Sequence, residues 1–205
     1  MEKRGTLMSA ERSARTIRRA DGLDPVQALQ RVLYRSAKQD RTRKFHALYD
    51  KLTRSDVMHR AWKDVARNQG APGVDKVSIT DISSGGSESI QAFLDVLTEE
   101  LRTGTYRPKP LRRVHIPKPG KPGQTRPLGI PCLRDRVIMA AAKLVLEPIF
   151  EADFSTVSFG FRPKRSAQQA LEVVRTTANR GMLWVLDADI KACCCPPAKL
   201  IMQTT

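Results

Sequence analysis

The sequence predicts an α+β fold, in which helices are interrupted by one basic β-hairpin and followed by one buried strand. Three observations favour this class. Apolar residues recur at helical spacing in several segments. Two short β-rich runs flank a turn rich in glycine and proline at residues 119–123. An apolar run at residues 182–190 has the composition of a buried strand. The 205 residues suffice for one substantial domain.

The first 44 residues are strongly basic, with twelve Lys or Arg against five acids. We interpret them as a basic arm that is helical over about residues 25–35. Four apolar residues there fall at helical spacing: Val26, Leu29, Val32 and Leu33. Such an arm could contact nucleic-acid phosphates or could be a flexible tail, and the composition leaves both interpretations open.

Three more helices are predicted before the hairpin. The first continues over residues 45–52, and Ser55 is expected to cap the second. Trp62 falls among the apolar positions of that second helix, which favours a core residue over a base-stacking one. Gly104 is expected to end the third helix.

A β-hairpin is predicted, with strands at residues 111–116 and 125–130. Pro127 and Pro131 confine the second strand to a sheet edge or an irregular pairing. Between residues 101 and 137 there are ten Lys or Arg and one acid, Asp135. This charge suits a polyphosphate or a nucleic-acid backbone, although a merely solvated basic hairpin fits the composition equally well.

The segment after the hairpin is predicted to contain two helices and a strand. Pro148 is expected to kink or divide the first helix, which covers residues 134–154. Ser166 and Gln169 form a capping box for the second helix. The strand ends in Asp187 and Asp189, which strand alternation places on one face, where they could hold a divalent metal. For such a pair alone, a solvated strand end is the favoured alternative.

The whole-chain composition points to a polyanionic partner. The formal net charge is +15 and the pI is about 10.2, so nucleic acid is the first candidate and an anionic membrane surface the second. No apolar run is long enough to span a bilayer, and the N-terminus lacks the apolar core of a secretory signal. The cysteines, Cys132 and residues 193–195, contain no C-x-x-C pair. They predict reduced thiols in a cytoplasmic protein.

Eight motifs follow one another within about residues 45–193, at residues 61–75, 106–108, 114–118, 126–131, 133–137, 146–151, 159–163 and 186–191. With these motifs in this order, the chain resembles the N-terminal part of group II intron-encoded reverse transcriptases and maturases. The resemblance implies the fingers and partial palm of a right-hand polymerase, with the basic hairpin in the fingers and the strand at residues 182–190 in the palm.

The resemblance also implies site residues. Lys118 and Arg126 occupy the positions that contact the triphosphate of an incoming dNTP. Asp189 matches the first catalytic, metal-binding aspartate, and the main-chain carbonyl of Ile190 is expected to bind the same Mg²⁺. Asp187 is expected to be auxiliary. The residues expected to contact nucleic acid are Arg112, Arg113, Arg162, Lys164 and Arg165.

The implied partners are an RNA template or group II intron RNA, a DNA primer or target, and dNTP, with no membrane. For Arg162, a structural salt bridge is the alternative to a phosphate contact. The expected organisation is a basic arm at residues 1–44, fingers and partial palm at residues 45–193, and a tail at residues 194–205 that is foreign to the family.

The match fails after residue 193. The family continues there with an aromatic residue, whereas this chain has Cys194 followed by Cys195 and two prolines, and it contains no Tyr-Ala-Asp-Asp-like motif. We therefore expect a truncated or frameshifted copy that is inactive as a polymerase by itself. The alternative is a non-catalytic RNA-binding protein that holds intron RNA.

Overall fold

The computed structural model describes residues 24–121, 123–182 and 184–188. The chain forms two compact units, which divide between residues 154 and 155. The described elements of the first unit are α1 (Pro25–Gln39), α2 (Tyr49–Leu52), α3 (Ser55–Arg67), α4 (Ile79–Ser83), α5 (Gly86–Arg102), β1 (Arg112–Pro117), β2 (Thr125–Ile130) and α6 (Leu133–Asp153). The second unit contains α7 (Ala167–Asn179). Helices together with a β-hairpin agree with the predicted α+β class.

The core of the first unit forms around α6, against which α1 and α3 pack. The buried apolar residues of α6 include Val137, Ala141 and Val145. Trp62 of α3 belongs to the same core, and its ring meets that of Phe93 edge to face with centroids 5.6 Å apart. This confirms the interpretation of Trp62 as a core residue. Each large aliphatic side chain that is fully buried here stabilises the fold by about 1.5–3 kcal/mol.

Helix α1 is part of this core. Val26, Leu29 and Leu33 are buried, as the helical spacing predicts. Val32 is 54% exposed. It lies six residues after Val26, which turns it well away from the buried stripe. The described part of the predicted basic arm therefore contributes a packed helix, while the boundary at residue 44 stays a prediction.

Pro148 lies inside a continuous α6, so it does not divide the helix, while the kink given as the alternative stays a prediction. A proline has no N–H to donate to the carbonyl four residues earlier, here that of Leu144. Gln30 of α1 donates to that carbonyl from its side-chain Nε2 at 3.0 Å. The carbonyl that Pro148 leaves without its helical donor is thus satisfied by the neighbouring helix, which helps α6 to continue.

Helix ends agree with the sequence in part. Gly104 has φ +68° just after α5, as expected for a glycine that terminates a helix. The predicted cap at Ser55 is wrong: Arg54 is the N-cap residue, and Asp56 accepts a hydrogen bond from the Val57 N–H at 3.0 Å. Asp56 also pairs with Arg54 at 2.6 Å. A carboxylate in the first turn has taken the place of the hydroxyl cap.

The hairpin is an antiparallel pair in which Val114 lies opposite Leu128 and Ile116 opposite Arg126. Because the sheet has two strands, both are edges, and Pro127 is accommodated opposite His115. The prediction of two strands joined by a turn is confirmed, with the first strand shifted by one residue.

The second unit differs from its prediction at the strand. The capping box is confirmed: Ser166 Oγ accepts from the Gln169 N–H at 3.3 Å, and Gln169 Oε1 accepts from the Ser166 N–H at 3.1 Å. Over residues 182 and 184–188, however, the structure contains no strand, and Trp184 is 99% exposed. The predicted buried palm strand is wrong over these residues, because a strand needs a paired neighbour and no described segment pairs with this one.

Candidate functional site

One face of the hairpin carries both residues predicted to bind a triphosphate. Side chains alternate along each strand, and the pairing of Ile116 with Arg126 places these two on the same face. The Lys118 N–H donates to the Gln124 carbonyl at 2.9 Å, which continues the ladder one step into the turn. Lys118, two residues after Ile116, is therefore a diagonal neighbour of Arg126. At that separation two long side chains can reach a common ligand.

Four cations on the strands and turn of the hairpin are free. Arg113, Lys118, Lys121 and Arg126 are exposed, and within the described part of the chain none of them forms an ion pair. Residues 112–130 contain no acid. The positive charge is therefore uncompensated and accessible, which is the electrostatic condition for binding a polyanion. Arg112 differs, since it is half-buried and its buried Nε finds no hydrogen-bond partner among the described residues.

The hairpin is anchored through Asp135, which is only 4% exposed. Its carboxylate accepts hydrogen bonds from the Tyr106 hydroxyl at 2.6 Å and from the Lys109 N–H at 3.1 Å. Tyr106 and Lys109 precede β1, while Asp135 follows β2, so this carboxylate ties together the two ends of the hairpin. Burial raises the pKa of the Tyr106 hydroxyl well above its usual value, and the hydrogen bond to Asp135 raises it further.

A second anchor involves the loop at residues 69–75. Asp75 forms an ion pair with the Lys109 ammonium at 3.2 Å. Burial opposes ionisation of Asp75, but hydrogen bonds from Lys109 and Cys132 outweigh it and lower the pKa of the carboxyl. The backbone at Gly73 packs closely against Cys132. A Cβ added at this glycine would be 2.7 Å from the Cys132 Cα. The close approach explains why this loop requires a glycine there.

Arg134 and Arg136, which flank Asp135 at the base of the hairpin, contact other parts of the first unit. The Arg134 guanidinium pairs with Glu100 and lies 5.4 Å over the Tyr106 ring. The Arg136 guanidinium donates to the Pro131 carbonyl at 3.0 Å and to the Ala71 carbonyl. The structural role of Asp135 and of these two arginines was not predicted from the sequence. The available signal was that Asp135 is the one acid in a basic stretch.

In the second unit, Arg162 holds a loop. Its Nη1 donates to the Ser155 carbonyl at 2.7 Å and to the Ser158 carbonyl at 2.8 Å. These contacts give the side chain a structural role, and its contact with phosphate stays a prediction. The Arg165 guanidinium lies 5.3 Å over the Phe159 ring, while Lys164 is exposed.

The predicted metal ligands Asp189 and Ile190 lie outside the described residues. Within the described residues, no group of three or more His, Cys, Asp or Glu could hold a metal ion. Asp187 is described and exposed. The described side chains therefore do not form the predicted Mg²⁺ site. Among the described helices, none is both long and apolar enough to cross a membrane.

Comparison with known proteins agrees with the motifs. Residues 116–194 match the family described as reverse transcriptase (RNA-dependent DNA polymerase). Protein YkfC of Escherichia coli (strain K12) is 36% identical over 174 residues, which are 82% of this chain and 44% of that protein. Group II intron-encoded protein LtrA of Lactococcus lactis subsp. cremoris is 33% identical over 171 residues, 83% of this chain and 27% of LtrA.

A shorter match reaches a maturase. Nuclear intron maturase 1, mitochondrial, of Arabidopsis thaliana is 38% identical over 60 residues, which are 29% of this chain and 8% of the maturase. The chain spans less than half the length of each of these relatives.

Proposed function

We propose, on the premise that this chain belongs to the reverse transcriptase family and is related to the group II intron-encoded proteins, that it forms the fingers and the beginning of the palm of an RNA-directed DNA polymerase. The observation that carries the proposal is the acid-free hairpin with free cations, on which Lys118 and Arg126 share one face.

In this proposal the hairpin holds the triphosphate of an incoming dNTP. Arg126 offers a planar fork of donors that suits phosphate oxygens, and Lys118 adds a compact positive charge beside it. Both residues stand on a strand pair whose ends are tied by Asp135, so the cations are positioned before the ligand arrives. Positioned charge lowers the cost of reorganisation when negative charge develops on the departing phosphates.

The metal part of the proposal rests on the sequence. Asp189 and the Ile190 carbonyl would bind Mg²⁺, which when bound supplies positive charge to the phosphate oxygens of the reaction. Contacts to an RNA template, to intron RNA, and to a DNA primer or target are assigned to Arg112, Arg113, Arg162, Lys164 and Arg165. A cytoplasmic location belongs to the same proposal.

We further propose that the 205 residues do not polymerise by themselves, because they contain no Tyr-Ala-Asp-Asp-like motif. Two-metal catalysis without these carboxylates lacks its main electrostatic contribution. The second candidate function is that of a non-catalytic protein that holds intron RNA, which needs only the basic surface. Mg²⁺-dependent extension of a primer on an RNA template by the purified chain would contradict the predicted inactivity.

The decisive experiment measures binding of a fluorescent dNTP in the presence of Mg²⁺. Lys118→Ala and Arg126→Ala are each expected to weaken binding about tenfold, as for loss of one charge-assisted hydrogen bond. Lys121→Ala is the matched control, because it removes the same charge from the turn and is expected to weaken binding less than about threefold. An equal loss for all three variants would show general electrostatic attraction and contradict a specific triphosphate site.

A further inference from the structure

We propose that Phe161 is a stacking residue for a base of single-stranded nucleic acid, displayed on a loop that Arg162 holds in shape. The inference rests on the proposed function, since it adds a base contact to a unit already assigned to template or intron RNA. The residues on which it depends, 155–171, all lie in the second unit.

Phe161 differs from the nearby Phe159 in its exposure to solvent. Phe159 is half-buried and covered by the Arg165 guanidinium at 5.3 Å. Phe161, two residues later, is fully exposed to solvent. Exposed apolar groups scattered over a surface need no explanation by themselves. Phe161 is also unusual in its backbone conformation.

Phe161 has a φ of +56°, in the left-handed region that bulky residues rarely occupy. Such a conformation persists only when the surrounding structure enforces it, and it is commonly found at functional sites. Here the following residue provides hydrogen bonds that stabilise the loop: Arg162 donates to the carbonyls of Ser155 and Ser158 at 2.7 and 2.8 Å. The loop holds the ring outward at a conformational cost, although apolar burial alone would favour an inward position.

The charge of this segment indicates the kind of ligand. Residues 155–171 contain three cations and no acid. Lys164 is exposed, and a Cβ added at Gly160, the residue before Phe161, would meet nothing within 4 Å. Proteins that bind single-stranded nucleic acid combine backbone-tracking positive charge with aromatic rings on which bases stack. An exposed aromatic ring in a segment rich in cations therefore fits a base better than it fits the apolar surface of a protein partner.

The test compares two labelled twelve-residue oligomers by fluorescence anisotropy at one salt concentration: oligouridine RNA, and an abasic oligomer with the same number of phosphates. With the 205-residue chain, Phe161→Ala should weaken binding of oligouridine about 5- to 150-fold, the range for loss of one stacked base. Binding of the abasic oligomer should change less than about twofold, because the variant removes no charge. Phe161→Trp should keep the affinity for oligouridine.

Phe150→Ala is the matched control, because Phe150 is another phenylalanine that is 60% exposed, on α6 in the first unit. It should leave both affinities unchanged, and circular dichroism should be the same for all variants. If Phe161→Ala leaves oligouridine binding intact, or weakens both oligomers equally, stacking is overturned while nucleic-acid binding stands. If the wild-type chain binds neither oligomer, the proposed function fails as well.

Discussion

The base and the tip of the hairpin use similar residues in opposite ways. At the base, Arg134 and Arg136 are engaged with Glu100 and with backbone carbonyls around the buried Asp135. Toward the tip, the exposed cations Lys118 and Arg126 have no acid nearby in the hairpin. The comparison shows that a run of basic residues is not one feature. Charges that meet a partner within the fold build structure, and those left without one are available to a ligand.

The substitution with the largest expected effect is Asp135→Ala at the base of the hairpin. The change leaves the Tyr106 hydroxyl and the Lys109 N–H without their shared acceptor, and is expected to lower the free energy of unfolding by about 3 kcal/mol. Urea denaturation of the chain measures it. Glu99→Ala, an exposed acid on α5, should change the free energy by less than about 0.5 kcal/mol. Equal stability of the two variants would show that Asp135 does not anchor the hairpin.

A second test removes one arginine from each region. Arg136→Ala leaves the Ala71 and Pro131 carbonyls short of a donor and should cost about 2 kcal/mol of unfolding free energy. Arg126→Ala removes the same charge from an exposed position toward the tip and should cost less than about 0.5 kcal/mol. The same urea titration compares both. A large cost at Arg126 would mean that the cations toward the tip are also structural.

The third test measures nucleic-acid binding, whereas the first two measure stability. Affinity for a single-stranded RNA is measured by anisotropy over a series of salt concentrations. Arg113→Ala, at a residue assigned to nucleic-acid contact, should lower the slope of log K against log salt by about 0.7, the value for one phosphate contact on a single strand. Unfolding in urea should stay unchanged. A wild-type slope for Arg113→Ala would place this cation outside the nucleic-acid contact.

The smallest expected effect is the pH dependence at Asp75. Its pKa is lowered in the folded state, so ionised Asp75 contributes stability above its ordinary value of 3.8, and this contribution is lost as the pH falls through the folded-state pKa. Asp75→Asn should flatten the decline of unfolding free energy below about pH 4. Urea midpoints for both proteins at several acidic pH values measure the difference. Parallel curves would show that the ion pair with Lys109 contributes nothing.

What could be predicted from the sequence was mainly local. The capping box of Ser166 and Gln169 involves residues three apart, and the core position of Trp62 follows from helical spacing. The hairpin and the placement of Lys118 and Arg126 on one face also follow from a short-range pattern. These features could be predicted because the residues that determine them are near one another in the chain.

What could not be predicted depends on distant partners. Asp135 meets Tyr106 across 29 positions, and spacing gives no sign of this contact. The run at residues 182–190 has strand composition, but composition does not supply a neighbouring strand. Trp184 accordingly lies exposed in a segment that was expected to be buried. The roles of Asp189 and Ile190 remain predictions.

Pro148 and Gln30 are coupled through one carbonyl, although 118 positions separate them. Replacing Pro148 by alanine would supply an amide that competes with Gln30 for the Leu144 carbonyl. The stabilising effect of Gln30 should then shrink, so the effects of the two substitutions are not additive. A relative of this chain without the proline has no need of an amide at position 30, and the two positions are expected to change together during evolution.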